Sequence, residues 1–287
     1  MPDFYAPSRP QPLDQADGLR RMFATRSNRL LPLVANPHLP SSSRLLDHVA
    51  EALAGQGHQV LMVDAGAHAP PPPEGVQLGL APCIEMISPR VAYLPAHLLP
   101  LQYVDTRGCA AAFIDALQSA WPQADVIVLH AEALDLARVL KNRAARPVLL
   151  AADNPESLKH AYASCKLLVQ RCHLMTYDLL LAAPSRSPRL GAIKNSLAAC
   201  ADQFLGAVLR HSALADLALA GEGPADAELL RLFHAQMNFE TATDGPQAAE
   251  LKTPGASAAS SCPGHLGRAP QAWVPAPAEP SQNHIAY

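Results

Sequence analysis

Short, continuous runs of apolar residues alternate with amphipathic segments along most of this chain. The runs at 59–64 (QVLMVD) and 125–129 (DVIVL) show no apolar–polar alternation, which is typical of strands buried on both faces. The segment 41–56 instead repeats apolar residues at helical spacing. Because parallel strands are joined by helical crossovers that cover the sheet, this alternation predicts an α/β fold over residues 30–210. We expect a mostly parallel sheet with helices on both faces.

The predicted elements follow from the same patterns and from the positions of glycine and proline. Strands are predicted at 29–35, 59–64, 90–94, 125–129, 147–151 and 175–182. Helices are predicted at 13–24, 41–56, 106–120, 134–143, 155–169, 188–205 and 224–239. A loop with four consecutive prolines covers 67–82. Pro32 is unusual for a central strand because proline has no N–H to donate to a neighbouring strand.

Three segments are predicted along the chain. Residues 1–28 form an N-terminal arm that carries a short helix, and residues 29–239 form the α/β domain. Residues 240–287 contain seven prolines among alanine, serine and glycine and show no periodicity. This composition cannot bury enough apolar surface to fold, so a disordered tail is predicted there.

Charge and cysteine content exclude several classes of protein. The formal net charge of −3 predicts no bulk attraction to nucleic acid or to an anionic membrane. The six cysteines form no CxxC pair, which argues against a zinc site or a disulfide framework. Residues 1–12 are polar, unlike a signal peptide, and no apolar run approaches the ~20 residues that span a bilayer. We therefore expect a cytoplasmic protein.

Residues 29–64 form a predicted strand, loop, helix and second strand that ends at Asp64. This is the layout of a phosphate-binding P-loop unit. The run resembles, without a gap, the start of the MinD/ParA-like ATPases of the FlhG type, which regulate flagellar number. In that family the loop reads roughly KGGVGKT, and the second strand ends in an Asp-Ala-Asp pattern. The resemblance implies a P-loop NTPase fold of the MinD/ParA type for residues 29–239.

The loop itself departs from the pattern of that family. Its seven positions are occupied by Pro37, His38, Leu39, Pro40, Ser41, Ser42 and Ser43. No glycine remains, the two lysine positions fall on Pro37 and Ser42, and each proline removes an N–H donor. Losing a cation about 4 Å from a phosphate forfeits roughly 4 kcal/mol, and each missing charge-assisted hydrogen bond costs about 1.5–3 kcal/mol. These losses rival the ~8 kcal/mol behind micromolar binding, so we expect neither ATP nor Mg²⁺ to bind.

Two further positions depart from the family. Gly66 stands at the position of the final aspartate in the Asp-Ala-Asp pattern, whose first aspartate is matched by Asp64. The strand at 125–129 leads into His130, where the family has a magnesium-binding aspartate. A neutral imidazole is a poor magnesium ligand. His130 and Glu132 could form a new catalytic pair, although a plain role at the strand end is the interpretation we favour. We therefore expect a pseudo-ATPase without catalytic residues, in which Asp64 and His130 are remnants.

Residues 14–21 read DQADGLRR and resemble the DQAxGLR motif that precedes the P-loop domain in FlhG proteins. In that family the N-terminal helix docks on the signal-recognition-like GTPase FlhF and stimulates GTP hydrolysis. The resemblance assigns partner binding to Asp14, Gln15, Ala16, Gly18, Leu19 and Arg20. The residue types suit this role, because an amide orients a water or a phosphate and a guanidinium grips carboxylate or phosphate. The alternative is an ordinary amphipathic helix packed on its own domain.

Two later stretches extend the resemblance, which covers about residues 14–215. The segment 153–168 is similar to the family's PEPTALTDAYALIKVL, and 202–206 is similar to its RFLG. Family members commonly end in an amphipathic helix that attaches to membrane when ATP drives dimerisation. The candidate at 225–239 contains Arg231 as its single arginine or lysine, whereas a membrane-surface helix carries several. We therefore favour packing of this helix against the sheet or a partner over membrane association.

These observations predict a non-hydrolysing regulator of flagellar number or placement that binds and stimulates an FlhF-like GTPase. We expect it in the cytoplasm, with recruitment to the cell pole through a partner. Two alternatives stay open: an active MinD/ParA-like ATPase with an unorthodox loop, and a scaffold for cell-pole or cell-division positioning. A homodimer is a further open possibility.

Overall fold

The computed structural model describes residues 28–218 and 226–239. The strands in these residues are β1 (Arg29–Val34), β2 (Val60–Ala65), β3 (Glu85–Ser88), β4 (Val91–Pro95), β5 (Val126–Ala131), β6 (Val148–Ala152), β7 (Thr176–Ala182) and β8 (Val208–Ala215). The α-helices are α1 (Ser42–Gly55), α2 (Ala112–Ala120), α3 (Ala133–Val139), α4 (Pro155–Cys172), α5 (Leu190–Leu205) and α6 (Ala227–Met237). Short 3₁₀ helices cover Glu74–Leu78, Ala81–Cys83 and Leu99–Tyr103. The predicted helix at 13–24 and the predicted tail at 240–287 lie outside the described residues.

The strands form one sheet in the order β3-β4-β2-β5-β1-β6-β7-β8. Every neighbouring pair is parallel except β3 and β4, which are antiparallel. The carboxyl ends of β1, β2 and β5 are in register, because Val34 and Ala65 both stand opposite Ala131. This architecture confirms the predicted fold class of a mostly parallel sheet covered by helices.

Helices bury the apolar residues on both faces of the sheet. Successive side chains of a strand point to opposite faces. Leu61 and Val63 accordingly belong to the core under α2, α3, α4 and α5, whereas Val60 and Met62 belong to the core under α1 and α6. Burial of an aliphatic side chain stabilises the fold by roughly 1.5–3 kcal/mol. A strand covered on both faces is therefore most stable when all of its residues are apolar.

Pro32 is accommodated in the central strand β1 because the neighbouring strand β6 does not extend as far as Pro32. Pro32 stands opposite Leu129 of β5, but β6 pairs with β1 only at Leu33 and Val34. One side of β1 therefore has no partner strand at Pro32. A missing N–H on that side costs no hydrogen bond between strands.

Two edge strands were not predicted from the sequence. All four residues of β3 are exposed, and β8 mixes polar and apolar residues in the order VLRHSALA. Edge strands are covered on fewer sides than central strands. They therefore lack the continuous apolar run that identifies a strand buried on both faces.

The helix predicted from residue 106 begins instead at Ala112. Asp105 Oδ1 accepts hydrogen bonds from the backbone N–H groups of Arg107 and Cys109, at 2.9 and 2.8 Å. Gly108, at φ 72°, closes the turn between them. These bonds hold the backbone in a turn that is incompatible with a helix, so the prediction was wrong over these residues.

The ends of two other helices also differ from the prediction. α3 ends at Val139 instead of residue 143, because Asn142 adopts a left-handed φ of 62° just beyond it. α6 begins at Ala227 instead of residue 224. Asp226 is its N-cap, and the carboxylate accepts a hydrogen bond from the N–H of Glu228 at 2.7 Å.

The apolar side of α6 is buried against the sheet. Leu229, Leu232 and Phe233 lie in the same core cluster as the α1 side chains. The helix considered above as a membrane candidate thus packs on its own domain through this side. No helix in the described ranges is both long enough and apolar enough to cross a bilayer.

A buried ion pair fastens α6 to the sheet. The side chain of Asp178 in β7 is fully buried, and Arg146 Nε lies 3.0 Å from its Oδ2. Gln236 of α6 donates to Asp178 Oδ2 at 2.7 Å and to the Arg146 carbonyl at 3.0 Å. The Arg146 guanidinium also donates to the carbonyl of Ala235 at 2.6 Å. Since a buried carboxylate is stable only with such partners, these bonds couple the position of α6 to Asp178.

Replacing Arg146 tests this coupling. Arg146→Met leaves the buried Asp178 carboxylate without its cation, so we expect the free energy of unfolding to fall by about 3–5 kcal/mol in urea titrations. Arg143→Met is the matched control, because its partner Asp115 is largely exposed, and its loss is expected to stay below about 1 kcal/mol. Equal losses in the two variants would contradict the proposed role of Asp178.

Candidate functional site

The loop between β1 and α1 lies at the carboxyl edge of the sheet, at its centre. β1 is flanked by β5 and β6, and β2 lies beyond β5. Asp64 at the end of β2 stands in register with His130 at the end of β5. Ligand sites of open parallel sheets are usually found along this edge. The predicted loop residues and the predicted remnants therefore share one edge of the molecule.

A buried asparagine ties this loop to the next strand and helix. Asn36 Nδ2 lies 2.8 Å from the Leu150 carbonyl and 2.9 and 2.8 Å from the carbonyl and hydroxyl oxygens of Ser157. Asn36 Oδ1 accepts a hydrogen bond from the N–H of His38 at 3.1 Å. Asn154, the N-cap of α4, donates to the His38 carbonyl at 3.2 Å. The loop is thereby closed against the start of α4.

These bonds use backbone donors that a phosphate cradle needs. Pro37 and Pro40 have no N–H. The N–H groups of His38 and Leu39 donate to the side-chain and main-chain oxygens of Asn36. The Leu39 side chain is buried in the core under α1. A phosphate cradle requires several successive N–H groups that point at the ligand. In this loop two N–H groups are missing, and two others form hydrogen bonds within the loop.

One residue of the loop, Ser41, has a left-handed backbone conformation of the kind that glycine adopts most easily. Ser41 adopts φ 61° and ψ 45°, the left-handed conformation, and its side chain makes no capping hydrogen bond with α1. Ser41 stands where the resembled motif has a glycine. A residue with a Cβ pays roughly 1–2 kcal/mol in this conformation. The backbone at this position therefore has the conformation that glycine favours, although the residue is a serine.

Asp64 and His130 form a largely buried pair. His130 Nδ1 lies 2.7 Å from Asp64 Oδ1, and the two side chains are 7% and 14% exposed. Because a carboxylate only accepts hydrogen bonds, Nδ1 carries the proton. The N–H of Gly66 donates to the same oxygen at 3.1 Å, and His97 Nδ1 lies 3.0 Å from the Gly66 carbonyl. The hydrogen-bond partner of His130 is thus Asp64 and not Glu132.

The His130 ring fills the space beside Gly66. A Cβ on Gly66 would lie 2.8 Å from His130 Cε1 and 3.1 Å from His130 Nδ1. The ring is buried and bonded to Asp64, so it has little room to move away. The position at which the resembled family has an aspartate therefore accommodates only a hydrogen atom in this protein.

The polar groups around this pair are poorly placed for acid–base chemistry. His130 Nε2 is buried and has no hydrogen-bond partner within residues 28–218 and 226–239. Burial, together with the carboxylates of Asp64, Asp47 and Glu85, raises the pKa of Tyr93 to about 12. The tyrosine hydroxyl therefore stays protonated at neutral pH. The Asp64 carboxylate already accepts two hydrogen bonds, from His130 and from the backbone of Gly66.

The other flank of the loop carries imidazoles. His38 packs edge-on against His160 of α4, with 5.9 Å between ring centroids. Burial lowers the pKa of His160; Glu132 acts in the opposite direction, and His38 lowers the pKa further. Mg²⁺ prefers carboxylate and carbonyl oxygens to imidazoles. Across the part of the chain that the structure describes, no group of three or more His, Cys, Asp or Glu residues is arranged to hold a metal ion.

The site residues predicted from the sequence fall into two sets. Those at the carboxyl edge of the sheet are Pro37, Pro40, Ser42, Ser43, Asp64 and His130. Those predicted to bind a partner lie outside the described residues: Asp14, Gln15, Ala16, Gly18, Leu19 and Arg20. The prediction missed the residues that close the loop, which are Asn36, Asn154 and Ser157. Asparagine followed by proline is a recognisable helix start, but the role of Asn36 depends on a contact across 121 positions of sequence.

Comparisons with known proteins identify the fold. No protein-family model and no curated protein matches the chain. Among solved structures, the MinC:MinD cell division protein complex of Aquifex aeolicus is similar, with 12% identity, 72% of this chain and 96% of that chain covered, and a TM-score of 0.50. A variant of McdA from Cyanothece in complex with ATP is similar at 12% identity, with 75% and 98% covered and a TM-score of 0.51.

A plasmid partition protein of Borrelia burgdorferi bound to AMPPNP gives a comparable match. The identity is 8%, the match covers 73% of this chain and 96% of that chain, and the TM-score is 0.50. At such low identity these similarities establish the fold alone. The described domain has the MinD/ParA-type P-loop NTPase fold, as the resemblance in the sequence implied.

A double-mutant cycle tests whether His130 fills the space beside Gly66. We expect Gly66→Ala to destabilise the protein by about 1–3 kcal/mol, because the new methyl group overlaps the ring. In a His130→Ala background the same change is expected to cost much less. Gly191→Ala is the control, since a Cβ there meets nothing within 4 Å. Additive losses from Gly66→Ala and His130→Ala in urea unfolding would rule out the overlap.

Proposed function

We propose that this protein is a non-hydrolysing, FlhG-like regulator of flagellar number or placement. It binds an FlhF-like GTPase through the segment 14–21 and stimulates GTP hydrolysis by that partner. It works in the cytoplasm, and the partner recruits it to the cell pole. The observation that most supports this proposal is the loop after β1, which keeps its place in the MinD/ParA-type fold while its donors bond within the protein.

The loop supports the non-hydrolysing part of the proposal. A nucleotide-binding loop supplies N–H donors and a lysine to the phosphates. This loop has no lysine, its prolines have no N–H, and the N–H groups of His38 and Leu39 are bonded to Asn36. Releasing these donors would require breaking their bonds to Asn36, whose side chain is held in place by Leu150 and Ser157. Such a rearrangement opposes phosphate binding.

The Asp64–His130 pair supports the same conclusion. Where the resembled family places a magnesium-binding aspartate, His130 donates to Asp64. The ring also occupies the space that a side chain at position 66 would need. In this chain an imidazole thus takes the place of a metal-binding carboxylate, and it donates to the carboxylate of Asp64.

The proposed binding segment is separate in sequence from the loop. Residues 14–21 precede β1, which begins at Arg29, and the loop follows Val34 at the other end of that strand. We therefore propose that binding through residues 14–21 needs no nucleotide in the loop.

A single amide in the arm tests the proposed interaction. We expect the full chain to raise GTP turnover by an FlhF-like GTPase, and Gln15→Ala to return the rate to that of the GTPase alone. The reason is that the amide supplies a donor and an acceptor that orient a water or a phosphate group. Gln11→Ala, four residues earlier and outside the motif, is the control and should stimulate like the parent protein.

The unfolding midpoint of the Gln15→Ala variant should equal that of the parent, because residues 29–239 are unchanged. If the parent protein leaves GTP turnover unchanged at saturating concentration, the interaction is absent. That result would favour a scaffold for cell-pole or cell-division positioning that acts without FlhF.

Calorimetry with nucleotide separates the proposal from an active ATPase. We expect no heat of binding when Mg²⁺-ATP is titrated into the full chain at micromolar concentrations, because the loop lacks both the cation and the free donors. Ser42→Ala, at the position of a family lysine, should change neither this result nor the stimulation of FlhF. Micromolar, magnesium-dependent binding would instead support the ATPase alternative.

A further inference from the structure

A surface cleft of about 150 Å³ crosses the β8 edge of the sheet, three strands away from β1. It is lined by Lys194, His211, Ser212, Glu228, Arg231 and Leu232. Lys194 belongs to α5 and Glu228, Arg231 and Leu232 to α6, while His211 and Ser212 belong to β8. The α5 and α6 side chains pack on opposite faces of the sheet. A cleft lined by both helices must therefore lie across the edge of β8.

This edge has no neighbouring strand among the described residues. β8 pairs with β7 on one side and stands at the end of the strand order. Alternate N–H and C=O groups along its eight residues thus point away from the sheet. Such a row of backbone groups pairs readily with an extended chain, which adds to the sheet as a further strand.

The other edge of the sheet is a poorer site for an added strand. β3 has only four residues, and its pairing with β4 is irregular between Met86 and Ser88. The β8 edge is twice as long and lies in a cleft between two helices. Short strands are a usual protection of a sheet edge, so the four-residue β3 is the better protected edge.

A buried carboxylate holds one wall residue of the cleft in place. The pairing of β7 with β8 shifts register between Tyr177 and Leu179, so that an additional residue of β8 stands opposite Asp178. Both the backbone N–H and the ring Nδ1 of His211 contact Asp178 Oδ1, at 3.0 and 3.1 Å. The ring is 41% exposed, whereas Asp178 is fully buried. His211 therefore stands in the cleft with its ring already positioned.

The charges around the cleft favour an acidic ligand. Lys194 lies on one wall and Arg231 on the other, Arg210 is exposed on β8, and Glu228 is the one carboxylate of the lining. A small anion alone would meet exposed, strongly screened charges. An extended peptide would add backbone hydrogen bonds to the same charges.

We propose that this cleft binds an extended peptide segment with two consecutive acidic residues, which pairs with β8 as a further strand. Adjacent residues of a strand point to opposite faces, so one carboxylate reaches Lys194 on the α5 side and the next reaches Arg231 on the α6 side. This recognition involves neither the loop after β1 nor the N-terminal arm. It therefore stands independently of the function proposed above.

A synthetic peptide tests the proposal. The probe is a fluorescein-labelled octapeptide in which a central Glu-Glu pair is flanked by alternating valine and threonine, and its binding to the full chain is followed by fluorescence anisotropy at low salt. We expect binding that weakens at least about tenfold in the Lys194→Glu, Arg231→Glu double variant. The control double variant, Lys166→Glu with Arg171→Glu on the exposed side of α4, should bind like the parent protein.

Two further peptides distinguish strand pairing from simple charge attraction. Methylation of alternate backbone nitrogens removes the N–H donors, and a central Lys-Lys pair reverses the charge; each is expected to abolish binding. No binding of the Glu-Glu probe would overturn the proposal. Equal binding of the methylated probe would also overturn it, because the cleft would then be an anion site only. The substituted side chains are all exposed, so circular dichroism melts should match those of the parent protein.

Discussion

Burial of the sheet on both faces is the constraint on which the rest of this structure depends. Helices cover both sides of the central strands, so a polar group on these strands needs either a buried partner, as Asp178 has, or a position near the strand end. Asn36, Asp64 and His130 stand at the carboxyl ends of β1, β2 and β5 or directly after them. The candidate chemistry of the domain is therefore concentrated at one edge.

At that edge the protein satisfies its polar groups internally. The Asn36 amide bonds to Leu150 and Ser157, and two loop N–H groups bond back to Asn36. Asp64 accepts from His130 and from the backbone of Gly66. In a nucleotide site the corresponding groups would be directed at phosphate and metal. A protein with these internal bonds has less to gain from binding either, which is the physical basis of the proposed regulatory function.

Much of the central domain was predictable because its signals are local. β2 and β5 are continuous apolar runs, and α1 and α4 have helical periodicity with clear ends, so these elements were predicted within a few residues. The edge strands β3 and β8 were not, because a strand covered on fewer sides has no such run. The late start of α2 was missed because the bonds of Asp105 to the following backbone compete with the helix.

The sequence by itself determined the fold class and the chemical content of the loop after β1, since periodicity and the absence of glycine and lysine can be counted along the chain. Only the tertiary structure decided the partners of those residues. The bond from His130 to Asp64, the crowding at Gly66 and the closure of the loop by Asn36 join positions 64 to 121 residues apart. Such contacts depend on strand order and register, which follow from the packing of the whole sheet and not from any local pattern.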